Sequence, residues 1–251
     1  MFFSVLTLFP ELVTTMVRES ITGRALEADL FAFRTHNIRD YAHNDYGKVD
    51  DTLYGGGRGM LMMCQPIFES WEAAKTDCDV ESDSRLTVYL SPKGHVLNQA
   101  LVEKLASYNH LILLCGHYEG VDQRVLDEME VQEISIGDYV LTGGELAAGV
   151  LIDAVARQLP GVLPTPDAVR QESHFNCQLE YRQYTKPAVW KGREVPPVLL
   201  SGHHKNIDKW RQLDGIRETM LKRPDLFQSL KFDENIAKEF VKYCRDMELD
   251  S

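Results

Sequence analysis

His110-Leu-Ile-Leu-Leu-Cys115 is an unbroken apolar run that passes at once into Gly116-His117-Tyr118-Glu119-Gly120. A short apolar run without polar alternation suits a strand buried on both faces of a parallel sheet. Two other runs follow the same pattern. Residues 86–90 (Leu-Thr-Val-Tyr-Leu) lead into Ser91-Pro92-Lys93-Gly94, and a weaker run at 133–136 leads into Gly137-Asp138-Tyr139-Val140-Leu141-Thr142-Gly143-Gly144-Glu145-Leu146. Residues 2–9 form a fourth apolar run, and helical patterns occupy 11–28, 66–75, 99–107 and 144–159. Strands alternating with helices predict an α/β core.

In an open parallel sheet, ligands bind beyond the carboxyl ends of the strands. Three glycine-bearing loops converging there would make a pocket in which backbone N–H and C=O groups read a ligand at close range. One such loop is most simply a tight turn; three favour a ligand site. No G-x-x-x-x-G-K-[ST] is present, and Tyr54-Gly55-Gly56-Gly57-Arg58-Gly59-Met60 lacks the lysine of a P-loop. No G-x-G-x-x-G sits between a strand and a helix, which disfavours a dinucleotide and hence an oxidoreductase. What remains is a small ligand with aromatic neighbours (Tyr89, Tyr118, Tyr139) and acidic ones (Glu119, Asp138). Those acids suit a cationic ligand such as a sulfonium, but they would equally serve as helix caps.

The rest of the chain sets the context. The net charge is −11 over 251 residues, yet it divides unevenly. Residues 1–172 hold 13 basic against 26 acidic side chains, whereas residues 182–223 hold 10 against 4. This basic stretch, with His203, His204, Trp190, Trp210 and Tyr184, could track phosphates and stack bases, although charge alone fits a solvated helical face equally well. Two prolines, Pro164 and Pro166, mark a linker after Gly161, and helical spacing returns at 206–223 and 233–245. No apolar run approaches the roughly 20 residues that cross a bilayer. The apolar opening has no basic leader and reads as a first strand rather than a signal peptide. Five scattered cysteines without a CxxC pair fit a reducing cytoplasm and disfavour disulfides or zinc.

Eight ordered strings carry a resemblance: Tyr54-Gly-Gly-Gly-x-Gly-Met60, Leu90-Ser-Pro-x-Gly94, Cys115-Gly-x-Tyr-Glu-Gly120, Ser135-Ile-Gly-Asp-Tyr-Val-Leu-x-Gly-Gly-Glu-Leu146, Pro160-Gly-Val-Leu163, Tyr184-Thr-Lys-Pro187, Val195-Pro-x-Val-Leu-x-Ser-Gly-x-His204 and Arg223-Pro-Asp-Leu226. In this order and spacing the chain resembles the bacterial tRNA (guanine-N1)-methyltransferases over nearly its whole length. The resemblance implies a trefoil-knotted, SPOUT-type α/β domain with a parallel sheet at 1–162, a linker at 163–172 and a small, mostly helical tRNA-binding domain at 173–251. It implies S-adenosylmethionine as methyl donor, held by Tyr89, Leu90, Ser91, Pro92, Gly116, Tyr118, Glu119, Gly120, Ile136, Gly137, Asp138, Tyr139, Val140, Leu141, Thr142, Gly143 and Gly144. The implied partners are tRNA and a second copy of the chain, with active sites shared between subunits and no membrane.

Chemistry supports this assignment of roles. Guanine N1 carries a proton and is a poor nucleophile until it leaves, so methylation needs a base beside N1 and positive charge near O6. By resemblance the base is Glu172, where the family usually has aspartate, and the cation is Arg157. Guanine and tRNA contacts carry over to Arg58 (proline is usual there), Gly59, Glu119, Ser173, His203, Lys205 and Arg211. The resemblance also implies Mg²⁺; the sequence offers no dedicated carboxylate cage, only Glu119 and Glu172 as a loose pair. His203-His204 lacks a third ligand nearby and makes a poor metal site. A knotted methyltransferase with another RNA target, or a catalytically silent RNA-binding module, are the competing readings.

Overall fold

The computed structural model describes residues 1–56, 58–164, 173–174, 177–231 and 233–249. The chain forms two compact units, Met1–Pro166 and Asp167–Ser251.

The first unit is built on strands β1 (Phe2–Thr7), β2 (Ala32–Asn37), β5 (Arg85–Val96), β6 (His110–Cys115) and β7 (Gln132–Ser135), in the order β2-β1-β6-β5-β7. Every pairing in this sheet is parallel. The run that reads as a doubly buried strand is central: all of β6 is buried. Successive side chains of a strand point to opposite faces. Leu111, Leu113 and Cys115 accordingly join one core, with Phe3, Val5 and Ile134 from the sheet and Val13, Leu151 and Val155 from helices α1 (Pro10–Arg18) and α6 (Glu145–Ala156). Ile112 and Leu114 join the other, with Ile67 of α3 (Cys64–Lys75) and Val125 and Leu126 of α5 (Gln123–Glu128). Burying each such aliphatic side chain contributes about 1.5–3 kcal/mol.

Three departures from the sequence expectation have physical causes. The helix expected over 11–28 is two helices, α1 and α2 (Ser20–Glu27). Glu19 is extended and Ser20 takes a φ of 58°, and a Cβ on Gly23 would overlap the Arg18 carbonyl, so only glycine lets α2 fold back so tightly. Second, Ser91–Gly94 does not end the strand that precedes it. Leu90 and His95 both pair with Ile134, so the four residues bulge out and β5 resumes. A side chain on Gly94 would collide with the β7 backbone at Glu133 and Ile134. Third, β2 carries no apolar run: its residues, Ala-Phe-Arg-Thr-His-Asn, lie at the sheet edge and are mostly only partly buried. The glycine-rich stretch beginning at Tyr54 lies between β3 (Asp50–Thr52) and β4 (Met60–Met62), an antiparallel pair; Gly57 lies outside the described residues.

The second unit contains a two-stranded hairpin, β8 (Val189–Trp190) and β9 (Arg193–Glu194), turned by Lys191 and Gly192, both at positive φ. Helices follow at Pro197–Leu200, His204–Lys222, Pro224–Phe227 and Glu234–Leu249. The spacing seen at 206–223 does place Trp210, Leu213 and Ile216 inside; Leu213 and Ile216 pack with Phe240. Asp233, expected as the first residue of the last helix, instead caps it by accepting from the amides of Asn235 and Ile236. Asp214 is fully buried and accepts from the backbone and guanidinium of Arg182 and from the Tyr243 hydroxyl. Among the described residues no helix is long and apolar enough to cross a membrane.

Candidate functional site

A cavity of about 490 Å³ opens beside the bulge of β5 and beyond the carboxyl ends of β6 and β7. Its walls are the bulge of β5, the loop after β6 and the loop between β7 and α6, so the three glycine-bearing segments do converge. Every position named above for the methyl donor lines it except Asp138, which is exposed and outside the lining. The cavity also takes in Leu61, Lys93, His117, Gln123 and Glu133, which the motifs did not single out. Glu133 sits inside a strand and His117 at a variable motif position, so neither had a local signal.

The loops are tied together from behind. His117 Nε2 and Thr7 Oγ1 reach the two oxygens of Glu145, at 2.7 and 2.6 Å. Glu145, the first residue of α6, is buried, and its carboxyl lies below the usual range because hydrogen bonds from His117 and Thr7 outweigh the burial that pushes it up. Gly143 is part of the same joint: a Cβ there would overlap the His117 ring. The Ser135 hydroxyl donates to the Gly137 carbonyl at 2.9 Å, and Tyr139 Oη donates to the Ile136 carbonyl at 3.2 Å, which folds the third loop on itself.

On the far wall, Glu119 N donates to the Met60 carbonyl and Met62 N to the Gly120 carbonyl, both at 3.0 Å. These bonds bring β4 against the loop after β6. Gly59 and Glu119, both named for the guanine, consequently lie side by side, and a Cβ on Gly59 would overlap the Glu119 carboxylate. Arg58, next to Gly59 in sequence, is exposed. At the cavity floor, Tyr89 is buried and its phenol is pushed up to about 12, by burial first and then by the charge of Glu133.

Other expected residues are placed less tightly. Arg157 is half-buried at the C-terminal end of α6, where its amide donates to the Asp153 carbonyl. Glu172, the expected base, lies outside the described residues. Ser173 accepts from the Glu180 amide at 3.1 Å. His203 and Lys205 are exposed at the start of the long helix of the second unit, and Arg211 lies over the Tyr181 ring. Trp210 is corrected as a stacking candidate: it is buried, with Tyr181 and Tyr184 against its edge, because its helical face is the core-facing one. Trp190, by contrast, is exposed on β8 with Lys191 over its ring. Much of the local basic excess is internally paired, through Arg182–Asp214, Lys209–Glu239, Lys222–Glu218 and Arg223–Asp225. Lys186, Lys191, Arg193 and Lys205 form no ion pair among the described residues. No group of three or more His, Cys, Asp or Glu among the described residues is placed to hold a metal ion.

Residues 1–229 match the family model described as tRNA (Guanine-1)-methyltransferase TrmD. A protein of Ruminiclostridium cellulolyticum named tRNA (guanine-N(1)-)-methyltransferase is 53% identical over 91% of this chain and 97% of its own length. Proteins of the same name from Alkaliphilus oremlandii and Dehalococcoides mccartyi are 49% and 45% identical, covering 91% and 94% of this chain and 92% and 96% of their own lengths.

Proposed function

The chain belongs to the tRNA (guanine-1)-methyltransferase family, and we propose that it transfers the methyl group of S-adenosylmethionine to N1 of the guanosine immediately 3′ of the anticodon, position 37. The observation that carries this reading is the convergence of the β5 bulge and the loops after β6 and β7 on one cavity. Its volume lies in the range of about 300–1,000 Å³ usual for small-molecule sites. Glycines at Gly116, Gly137, Gly143 and Gly144 leave backbone groups open to the ligand, and Tyr89, Ile136 and Leu141 supply apolar contact. These residues fit a nucleoside sulfonium. When bound, it supplies an electrophilic methyl group.

The remaining chemistry falls to the protein. Glu172 takes the proton from guanine N1, which turns N1 into a nucleophile, and the Arg157 guanidinium stabilises negative charge at O6. Glu119, beside Gly59, accepts from the N–H edge of a guanine flipped out of its stack. Ser173, Arg58, His203, Lys205 and Arg211 contact the RNA. The longer arm of glutamate at 172 places demands on reach rather than basicity. Glu119 and Glu172 are the residues that would hold a loosely bound Mg²⁺, which would supply positive charge beside the guanine.

The working enzyme is a homodimer in the cytoplasm, its knotted domain at 1–162, linker at 163–172 and helical domain at 173–251. Phe9, Leu12, Leu146 and Val150 support a dimer: all four are exposed apolar residues on α1, α6 or the turn entering α1, and α1 packs against α6.

The test pairs a tRNA transcript bearing guanosine at position 37 with a twin bearing adenosine there. Each is incubated with the protein, Mg²⁺ and methyl-labelled S-adenosylmethionine. Label in the guanosine transcript alone supports the reading. Equal label in both, or label in another RNA only, refutes the position.

A further inference from the structure

Glu133 Oε2 is a buried side-chain oxygen with no hydrogen-bond partner among the described residues. Buried polar atoms are nearly always paired, so one that is not, on the wall of a cavity, calls for an explanation. Glu133 lies on β7 directly across from Tyr89 on β5 and lines the cavity with it. Leu61, Val121 and Leu126 also line the cavity, and the latter two pack in one apolar cluster with Tyr89. The Tyr89 phenol stays protonated at neutral pH, held up by burial and by the Glu133 charge. The phenol is thus a donor and the carboxylate an acceptor, set side by side.

Resting on the methyl-donor reading of this cavity, we propose that the Glu133 carboxylate accepts hydrogen bonds from the ribose hydroxyls of the bound nucleoside. A vicinal diol presents two neutral O–H donors to a carboxylate, and such bonds are charge-assisted and short. It satisfies the buried oxygen without drawing a second charge into an apolar wall, where an ammonium or sulfonium would have to shed its water. Glu133 is therefore a binding residue for the sugar. Losing a hydrogen bond to a charged acceptor weakens binding by about 10- to 100-fold.

The experiment measures calorimetric affinity of the full-length protein for S-adenosylhomocysteine, for its 2′,3′-dideoxyribose counterpart and for S-adenosylmethionine, in the unaltered chain and in Glu133→Gln and Glu133→Ala. The expected result is a loss of about 10-fold or more for S-adenosylhomocysteine in both variants. The dideoxy ligand binds the unaltered chain with a similar deficit, and neither substitution weakens it further. Melting curves of the variants with and without ligand separate this from a folding defect, since non-additivity with the ligand change is unaffected by a uniform loss of folded protein. Additive losses from substitution and ligand change overturn the proposal in favour of a structural carboxylate. A loss seen for S-adenosylmethionine but not for S-adenosylhomocysteine overturns it in favour of a contact to the sulfonium. Unchanged S-adenosylhomocysteine affinity in both Glu133 variants overturns the proposal alone, whereas failure of the unaltered chain to bind S-adenosylhomocysteine at all would sink the methyl-donor reading itself.

Discussion

His117 Nε2 stands 2.7 Å from a Glu145 carboxylate oxygen, and the other oxygen of that carboxylate accepts from Thr7. The pair joins the loop after β6 to the first turn of α6, two walls of the cavity that are 28 residues apart in sequence. A buried carboxylate is tolerated only because both its oxygens are bonded.

Removing that carboxylate strands the buried Thr7 hydroxyl and the partly buried His117 ring. Glu145→Ala is expected to destabilise the first unit by about 2–4 kcal/mol and to weaken binding of S-adenosylmethionine, with Glu145→Gln milder in both. Because the folded-state pKa of Glu145 is lowered, its contribution is present above the ordinary carboxylate pKa of 4.5 and is lost as pH falls through the lower folded value. Chemical denaturation of Glu145→Gln between pH 3 and 7 should therefore show a shallower acid loss than the unaltered chain. An identical pH slope would mean that the carboxylate contributes nothing.

Gly143 should not accept a side chain. A Cβ at this position overlaps the His117 ring, so Gly143→Ala must push His117 from Glu145 or shift the loop into the cavity. The expected outcome is at least about a 10-fold rise in the dissociation constant for S-adenosylmethionine, from a displacement near an ångström. Gly55→Ala, where a Cβ meets nothing within 4 Å and the cost is confined to a local φ of 84° away from the cavity lining, should leave cofactor affinity intact.

Neutralising the proposed base should separate chemistry from binding. Glu172→Gln is expected to lower kcat by about 10²- to 10⁴-fold while cofactor affinity, measured by calorimetry, stays unchanged. Glu172→Asp should keep substantial activity, because basicity is preserved and only reach alters. A kcat for Glu172→Gln within a few-fold of the unaltered chain would remove Glu172 from the mechanism.

The β8–β9 hairpin offers a fourth test. Trp190 is exposed, and Lys191 and Arg193 beside it form no ion pair among the described residues. If this turn meets phosphate, Lys191→Ala should reduce the slope of log affinity for tRNA against log salt by about 1. Trp190 fluorescence, isolated by replacing Trp71 and Trp210 with phenylalanine, should be quenched on binding. An unchanged slope and unquenched emission would place the hairpin away from RNA.

Several features were legible in the residues themselves. The unbroken apolar run of β6 announced a central strand, because only a strand buried on both faces can dispense with polar alternation. Glycines clustered after apolar runs pointed to loops that approach a ligand, and those loops do line one cavity. Less visible were β2, whose edge position removes the need for an apolar run, and the break between α1 and α2, which depends on a contact between Gly23 and the Arg18 carbonyl.

The sequence by itself determined the α/β class, the family and the loops that would matter, since these rest on local pattern and ordered motifs. Only the tertiary structure decided that Ser91–Gly94 is a bulge across from Ile134, that Trp210 faces the core while Trp190 faces solvent, and that Thr7, His117 and Glu145 meet. The same holds for the unpaired oxygen of Glu133. Each of these depends on which side chain lies across a sheet or against another helix, and residues so far apart in the chain leave no periodicity to read.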